Sequence, residues 1–176
     1  CTTPFIFSFS RDGEFINVKG IGGAGVVREL NVHSAPSGNF YITGNYHSGF
    51  GLELFINDAT PYKIPNSMTM QDCAGEKEDI FISKYNSSGK VQWAKTINSM
   101  LYDRATEIRT DENENVYVTG CFRGSGVDFD LDNTLAYDTQ TSVSGGTAFI
   151  AKYEPVNGDL VWLKTIEGGS GSEALT

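Results

Sequence analysis

Hydrophobic and polar positions alternate along several short stretches of the chain, and polar turns separate these stretches. Residues 79–97, DIFISKYNSSGKVQWAKTI, alternate on both sides of the turn Asn86–Gly89, which predicts a β-hairpin. A second hairpin is predicted from Ala105 to Phe122, with Asp111–Asn115 as its polar turn. No stretch has the period of an amphipathic helix, so the pattern predicts an all-β chain.

Both hairpins have an earlier copy in the chain. The stretch FIFSFSRDGEFINVKGI matches residues 79–97 at an offset that places Gly13 on Gly89 (89 − 13 = 76). The same offset places Gly44 on Gly120 (120 − 44 = 76), at the ends of equivalent strands. At both of these strand ends we expect a positive φ or close approach of the next sheet. One offset held across two hairpins indicates a repeat architecture.

The first of these hairpins also recurs downstream, as FIAKYEPVNGDLVWLKTI. Tyr153 falls on Tyr85 (153 − 85 = 68) and Trp162 falls on Trp93 (162 − 93 = 69), so one residue is inserted in the turn. A side chain that is repeated in each unit fits a role common to all units, so the two tryptophans are predicted to pack between units. The alternative is that they are platforms for stacking sugars. The equivalent lysines are expected to pair with acidic residues of the next unit: Lys19, Lys95 and Lys164.

Units of four antiparallel strands, spaced by tens of residues, predict the blades of a β-propeller. The chain then reads as a single partial propeller. Its predicted repeat units are approximately 5–45, 79–122 and 147–176, and its predicted long insertions are 46–78 and 123–146. The first insertion contains one further candidate strand, Leu52 to Ile56.

The strands are predicted to combine into about two and a half blades. The combinations are Phe5–Ile21 as the outer half of one blade, Glu29–Asn45 with Ile80–Ile97, Ala105–Phe122 with Phe149–Ile166, and Glu173–Thr176 as the start of another. Closed propellers need about 4–8 blades. We therefore expect a segment of a longer propeller chain or a protomer that completes a ring with other copies, rather than a self-sufficient monomer.

The stretches FISKYNSSGKVQWAKTI, FIAKYEPVNGDLVWLKTIEGGSGSEA and ENVYVTGCFRGSGVDFD resemble the bacterial SBBP-type repeats, which are named for a seven-bladed β-propeller. The resemblance covers nearly the whole chain except Phe50–Glu78. The first unit departs from it, with Phe9 in place of the usual tyrosine and Asn17 in place of the tryptophan. The resemblance implies a propeller in an extracellular or surface-attached bacterial protein. It implies no catalytic residues, because the shared motif consists of packing and turn positions.

Composition excludes several classes of partner. The chain has 176 residues, a net charge of −9 and a pI of about 4.6. Nucleic-acid backbones and anionic lipid surfaces require basic surface, so neither is expected as a partner. No apolar run approaches the ~20 residues of a membrane-spanning helix, so membrane insertion is not expected.

The three cysteines lack the spacing of a zinc site or a redox motif. Cys121 follows a strand and is predicted to be a small buried residue. Cys73 lies in a polar loop, and its two candidate disulfide partners are Cys1 and Cys121. A leading Cys1 is typical of a lipidated bacterial N-terminus, but strand sequence begins by Phe5, which favours a cut fragment instead.

Candidate chemistry is sparse. The histidines, His33 and His47, have no third partner at ligand spacing, and neither a GxSxG nor an HExxH motif is present. We therefore predict that the chain is not an enzyme and binds no organic cofactor.

One acidic run is a candidate Ca²⁺ site. Asp128, Asp130 and Asp132 alternate, and clustered carboxylates suit this hard cation. Asn133 stands where a Ca²⁺ loop has glycine, and Thr139 stands where it has a bidentate glutamate. The alternative interpretation is a solvated acidic turn.

Three hypotheses for function follow from these observations. The first is a non-catalytic structural, adhesive or protein-interaction module of a larger secreted bacterial surface protein. The second is a lectin-like propeller that binds carbohydrate through exposed aromatic residues such as Phe50, Tyr62 and Tyr137. The third is a hydrolase or lyase on a propeller scaffold, for which no carboxylate pair stands out from the rest.

Overall fold

The computed structural model describes residues 4–22, 26–47, 52–55, 59–64, 78–97, 101–130, 139–142 and 146–167. Within these ranges the secondary structure is entirely β. The strands are β1 (Phe5–Phe9), β2 (Phe15–Gly22), β3 (Val27–Ser34), β4 (Phe40–His47), β5 (Leu52–Leu54), β6 (Tyr62–Ile64), β7 (Glu78–Tyr85), β8 (Val91–Ile97), β9 (Arg104–Thr110), β10 (Val116–Phe122), β11 (Val127–Asp128), β12 (Thr139–Gln140), β13 (Thr147–Tyr153) and β14 (Leu160–Glu167). No helix in the described part of the chain is long and apolar enough to cross a membrane.

The turn chemistry explains the hairpins. Between β7 and β8, the Asn86 side-chain oxygen accepts a hydrogen bond from the Lys90 backbone N–H at 2.9 Å. Gly89 has a φ of 81°, which residues with side chains rarely adopt. Gly13 and Gly158 hold φ values of 84° and 75° at the equivalent positions of their hairpins. All three turns therefore use one glycine with a positive φ, and the third turn is one residue longer than the other two.

Two sheets are complete four-stranded antiparallel blades. The central blade has the order β3-β4-β7-β8, and the C-terminal blade has the order β9-β10-β13-β14. These are the strand combinations that the repeat predicted. The chain is thus all-β, and its sheets are propeller blades of four antiparallel strands, of which about two and a half are present.

Each of the two blades has the same close contact within its own sheet, at its second strand. Gly44 pairs with Phe81 in the central blade, and Gly120 pairs with Phe149 in the C-terminal blade. A Cβ on Gly44 would lie 3.0 Å from the Phe81 ring, and one on Gly120 would lie 2.7 Å from the Phe149 ring and 2.1 Å from the Arg104 carbonyl oxygen. Only glycine leaves room for these contacts. The expectation of a positive φ or of close approach by the next sheet is wrong, because the contacts come from strands of the same sheet and both strands continue past the glycine, to His47 and to Phe122.

The third sheet, here called the N-terminal sheet, has the order β1-β2-β5-β6. Its first two strands are the repeat equivalents of β7 and β8. The insertion 46–78 supplies the other two strands, and β5 pairs with β2 through Ile21 opposite Leu54. The predicted strand Leu52 to Ile56 is observed as Leu52–Leu54, with Ile56 outside the described residues, and β6 was not predicted.

Two hydrophobic cores lie between the sheets. The larger core joins the central and C-terminal blades, and the smaller one joins the N-terminal sheet and the central blade. Alternate residues of β7 enter different cores: Ile80 and Ile82 enter the larger, whereas Phe81 and Tyr85 enter the smaller. The strands are hydrophobic on both faces because the central blade has a neighbour on each side.

Candidate interaction surfaces

The interface between the central and C-terminal blades shows what the repeated tryptophan does. Trp93 is buried, and its indole N–H donates a hydrogen bond to the Pro155 carbonyl oxygen at 3.2 Å. Its ring lies on Gly158, where a Cβ would approach ring atoms to 2.9 Å. Pro155 and Gly158 belong to the turn between β13 and β14, so the ring of one blade is seated on the outer turn of the next.

Two lysines of the central blade add polar contacts to the same turn. The Lys84 ammonium donates to the Pro155 carbonyl oxygen at 2.8 Å and lies 5.6 Å from the centre of the Tyr41 ring. The Lys95 ammonium pairs with the Asp159 carboxylate at 2.8 Å. The predicted pairing of Lys95 with an acid of the next blade is therefore confirmed.

The inner part of the interface is organised by Glu114, in the turn between β9 and β10. Its carboxylate accepts hydrogen bonds from the Tyr41 hydroxyl at 2.7 Å and from the Asn39 amide at 2.9 Å, and Lys84 lies 3.6 Å away. Burial opposes the charge, but hydrogen bonds from Ser37, Asn39 and Tyr41 and the charge of Lys84 outweigh burial and lower the pKa of Glu114 to about 2. Glu114 therefore stays ionised at neutral pH. The sequence pattern does not single out Glu114, because the two side chains that donate to it, Asn39 and Tyr41, lie more than 70 residues away in the chain.

The C-terminal blade carries the repeat equivalents of these residues on its other side. Lys152 lies 5.2 Å from the centre of the Tyr117 ring, as Lys84 lies over Tyr41, and the Trp162 ring packs edge-on against Tyr117 at 6.0 Å. Here the Tyr117 hydroxyl donates to Asp111 of its own blade at 3.1 Å. We define the C-terminal face as Tyr117, Ile150, Lys152, Trp162, Lys164 and Ile166.

A second open surface lies on the N-terminal sheet. Phe5, Phe7 and Phe9 are 51%, 60% and 58% exposed. Their equivalents in the C-terminal blade are buried in the larger core: Phe149, Ala151 and Tyr153. We define the N-terminal face as these three phenylalanines with Gly13 and Glu14 of the adjoining turn. In the central blade, β7 pairs with β4 on one edge and with β8 on the other. The equivalent strand β1 pairs with β2 on one edge, and no strand within the described ranges pairs with its other edge.

The acidic run is only partly within the described residues. The Asp128 side chain accepts a hydrogen bond from the Asp130 backbone N–H at 3.0 Å, and the Asp130 side chain accepts one from the Leu160 backbone N–H at 3.1 Å. Asp132 lies outside the described residues. Among the residues that are described, no group of three potential ligands is close enough to hold a metal ion.

The two histidines lie on neighbouring strands of the central blade, β3 and β4. His33 Nε2 lies 3.0 Å from the Thr110 hydroxyl oxygen of the C-terminal blade. Burial, with the charge of Arg109 adding to it, lowers the pKa of His33. His47 ends β4. Cys121 is buried, whereas Cys1 and Cys73 lie outside the described residues.

A surface groove of about 410 Å³ lies between the N-terminal sheet and the outer turn of the central blade. Its lining includes Tyr62, one of the three aromatic residues proposed for carbohydrate, together with Lys19, Lys90 and the hydroxyl-bearing Thr60 and Ser88. The other two aromatic residues, Phe50 and Tyr137, fall outside the described part of the chain.

No family model matches the chain. The chain is similar to an uncharacterized WD repeat-containing protein of Acanthamoeba polyphaga mimivirus, with 28% identity over 155 residues, or 83% of this chain. It spans only 11% of the length of that relative. The similarity is consistent with the propeller blades described above.

Proposed function

We propose that this chain is a non-catalytic β-propeller module that binds protein partners and forms part of a larger protein. The observation that carries the proposal is the use of the repeated side chains: Trp93, Lys84 and Lys95 are all engaged in packing one blade on the next. A motif made of packing positions builds a scaffold, and its function then resides in the surfaces that it presents. Similarity to a much longer WD repeat-containing protein supports a module of this kind.

The larger protein, in this proposal, is a secreted or surface-attached bacterial protein with a structural or adhesive role. The support is the resemblance of the outer hairpins and of the stretch ENVYVTG to SBBP-type repeats. The net charge of −9 agrees with protein partners and disfavours nucleic acid and anionic lipid.

Two measurements test this proposal on the full-length protein in its own cells. Protease treatment of intact cells should cleave a surface protein without prior lysis. A photo-crosslinking residue in place of Val156, which is 73% exposed, should form an adduct with a second protein, and the same variant kept in the dark is the control. Cleavage only after lysis would contradict surface attachment. If the photo-crosslinking residue formed no adduct at Val156 or at any other exposed position where it is introduced, that result would contradict the role in protein binding.

The groove favours a second candidate function, which is binding of an acidic carbohydrate. Tyr62 offers an aromatic face, Thr60 and Ser88 offer hydroxyls, and Lys19 and Lys90 are the charged side chains of the described lining. Sugars stack on aromatic rings, and lysines favour carboxylate or sulfate groups.

A glycan array tests the second candidate. Tyr62→Ala should abolish binding to uronic-acid or sulfated glycans, whereas Phe15→Ala, which removes an exposed ring outside the groove lining, should leave it unchanged. Wild-type chain that binds no glycan on the array would refute this candidate and leave the protein-binding role untouched.

A further inference from the structure

The junction between the N-terminal sheet and the central blade lacks the tryptophan that fills the junction between the two complete blades. Asn17 stands on β2 at the position that Trp93 occupies on β8 (93 − 17 = 76). Trp93 lies on Gly158, the glycine of the next blade's outer turn. The glycine at the same place in the outer turn of the central blade is Gly89 (158 − 89 = 69). Because asparagine is much smaller than tryptophan, Gly89 has no indole ring from β2 to cover it.

The surroundings of Gly89 show that no other described ring takes this position. A Cβ on Gly158 would lie 2.9 Å from the Trp93 ring, whereas the nearest described atom to a Cβ on Gly89 is Lys19 Cε at 3.9 Å. Gly89 lines the surface groove of about 410 Å³. The same groove has an apolar and aromatic lining: Leu54, Pro61, Tyr62 and Val91. A groove of this size and lining suits a large aromatic side chain.

The groove lies on the side of the N-terminal sheet that faces the central blade. Lys19 pairs with Ile6 across β2 and β1, so these two side chains share one face of the sheet. Ile6 packs against the smaller core, which joins the N-terminal sheet to the central blade. The exposed Phe5 and Phe7 flank Ile6 in the strand and therefore point to the opposite face. A further blade stacked on these phenylalanines would leave the groove uncovered.

The charges of this junction differ from those of the junction between the complete blades. There, Lys95 pairs with Asp159 at 2.8 Å. The equivalent positions at the groove are both lysines, Lys19 and Lys90 (159 − 90 = 69), and the described lining contains no acidic residue. Two lysines form no ion pair with each other, and both attract a carboxylate placed near them. The groove therefore combines room for an aromatic ring with a preference for negative charge.

We propose that this groove binds an extended segment of a partner protein in which a tryptophan is followed two positions later by an aspartate or glutamate. The inference rests on the proposed protein-binding role and names the chemistry of the partner. Side chains two positions apart lie on one face of a strand, as those of Trp93 and Lys95 do on β8. A Trp-x-Asp segment keeps this spacing and carries the charge that Lys90 attracts.

In the bound state the indole of the segment lies on Gly89 beside Tyr62, and the carboxylate pairs with Lys90. Both tryptophans of this chain are followed by lysine two positions later, so neither supplies the segment. A protein segment is favoured over an acidic sugar because the same molecule places an indole on the equivalent glycine, Gly158.

Fluorescence anisotropy on the full-length protein tests the contact. The probe is a short labelled peptide of glycine, serine and threonine that contains one Trp-x-Asp unit, and it should bind saturably. Alanine in place of the peptide's tryptophan should weaken binding at least about tenfold, as expected for a central aromatic residue of an interface. Lysine in place of its aspartate should weaken binding about 2- to 5-fold.

Variants of the protein locate the binding site. Asn17→Trp supplies the missing ring from β2 itself, so it should weaken peptide binding at least about tenfold and raise the melting temperature. Lys90 is exposed, and Lys90→Glu should reverse the preference, so that the variant binds the Trp-x-Lys peptide better than the Trp-x-Asp peptide. Val156→Ser is the matched control, because Val156 is 73% exposed and lies outside the groove lining; it should bind as the wild type does.

Three results would overturn the contact. They are a wild type that binds the tryptophan and alanine peptides equally or binds neither, a Lys90→Glu variant with an unchanged preference, and a folded Asn17→Trp variant that binds as the wild type does. An acidic glycan that binds the groove and is not displaced by the Trp-x-Asp peptide would assign the groove to carbohydrate instead. The protein-binding role fails separately, because the photo-crosslinked adduct at Val156 does not require the groove.

Discussion

Trp93 and Trp162 occupy the same position of the repeat but different environments, so their removal should have unequal effects. Trp93 is 7% exposed, donates a hydrogen bond to Pro155 and is seated on Gly158. Trp162 is half-buried, and its ring contact is with Tyr117 of its own blade. The repeat predicts that both rings lie between units.

The structure sets the expected magnitudes. Trp93→Ala should lower the free energy of unfolding by about 3–5 kcal/mol, the usual loss for a large aromatic side chain in a core. Trp162→Ala should lower it by about half as much, because only part of its apolar area is removed from water. The difference between the two losses in free energy of unfolding measures how much a neighbouring blade stabilises the tryptophan position.

Urea unfolding at low protein concentration, followed by circular dichroism, measures both values. Tryptophan fluorescence provides a second probe, because the chain has two tryptophans and each variant retains one. Equal losses in the monomer, or a larger loss for Trp162→Ala, would refute the assignment of Trp93 to a buried interface.

Four further predictions use other residues of the blades. Gly158→Ala should lower the free energy of unfolding in urea more than Gly13→Ala does. Both substitutions place alanine in the left-handed backbone region at a cost of about 1–2 kcal/mol. Only at Gly158 does the added Cβ also collide with Trp93. The free energy of unfolding should fall as the pH drops from about 4.5 to about 2, because Glu114 has a lowered pKa in the folded state and must take up a proton. Glu114→Gln should flatten this part of the stability profile. A variant whose stability depends on pH as the wild type's does would contradict the prediction. Calcium titration should release no heat, and a calcium-dependent rise in melting temperature would contradict this. Asp130→Ala should lower the free energy of unfolding by about 1 kcal/mol through its lost bond to a backbone N–H, and an unchanged free energy of unfolding would contradict that.

The amino-acid sequence by itself determined the hairpins and their combination into blades. Alternating hydrophobic and polar residues act over a few positions, and turns such as Asn86–Gly89 are set by local hydrogen bonds and by one glycine with a positive φ. The constant offset between copies then showed which hairpins are equivalent. These signals are short-range or repetitive, so they can be recognised without coordinates.

Only the tertiary structure decided how the blades meet and what they leave open. Trp93 finds its carbonyl acceptor 62 residues away at Pro155, and Asn39 finds Glu114 at a separation of 75 residues. The short strand β6 is one element that the alternating pattern did not reveal, because three residues are too few to show a period and its pairing with β5 supplies the order. The exposure of Phe7 and Ile166 likewise depends on which blades are adjacent. Both side chains are hydrophobic, and they are exposed because no neighbouring blade covers them within the described residues.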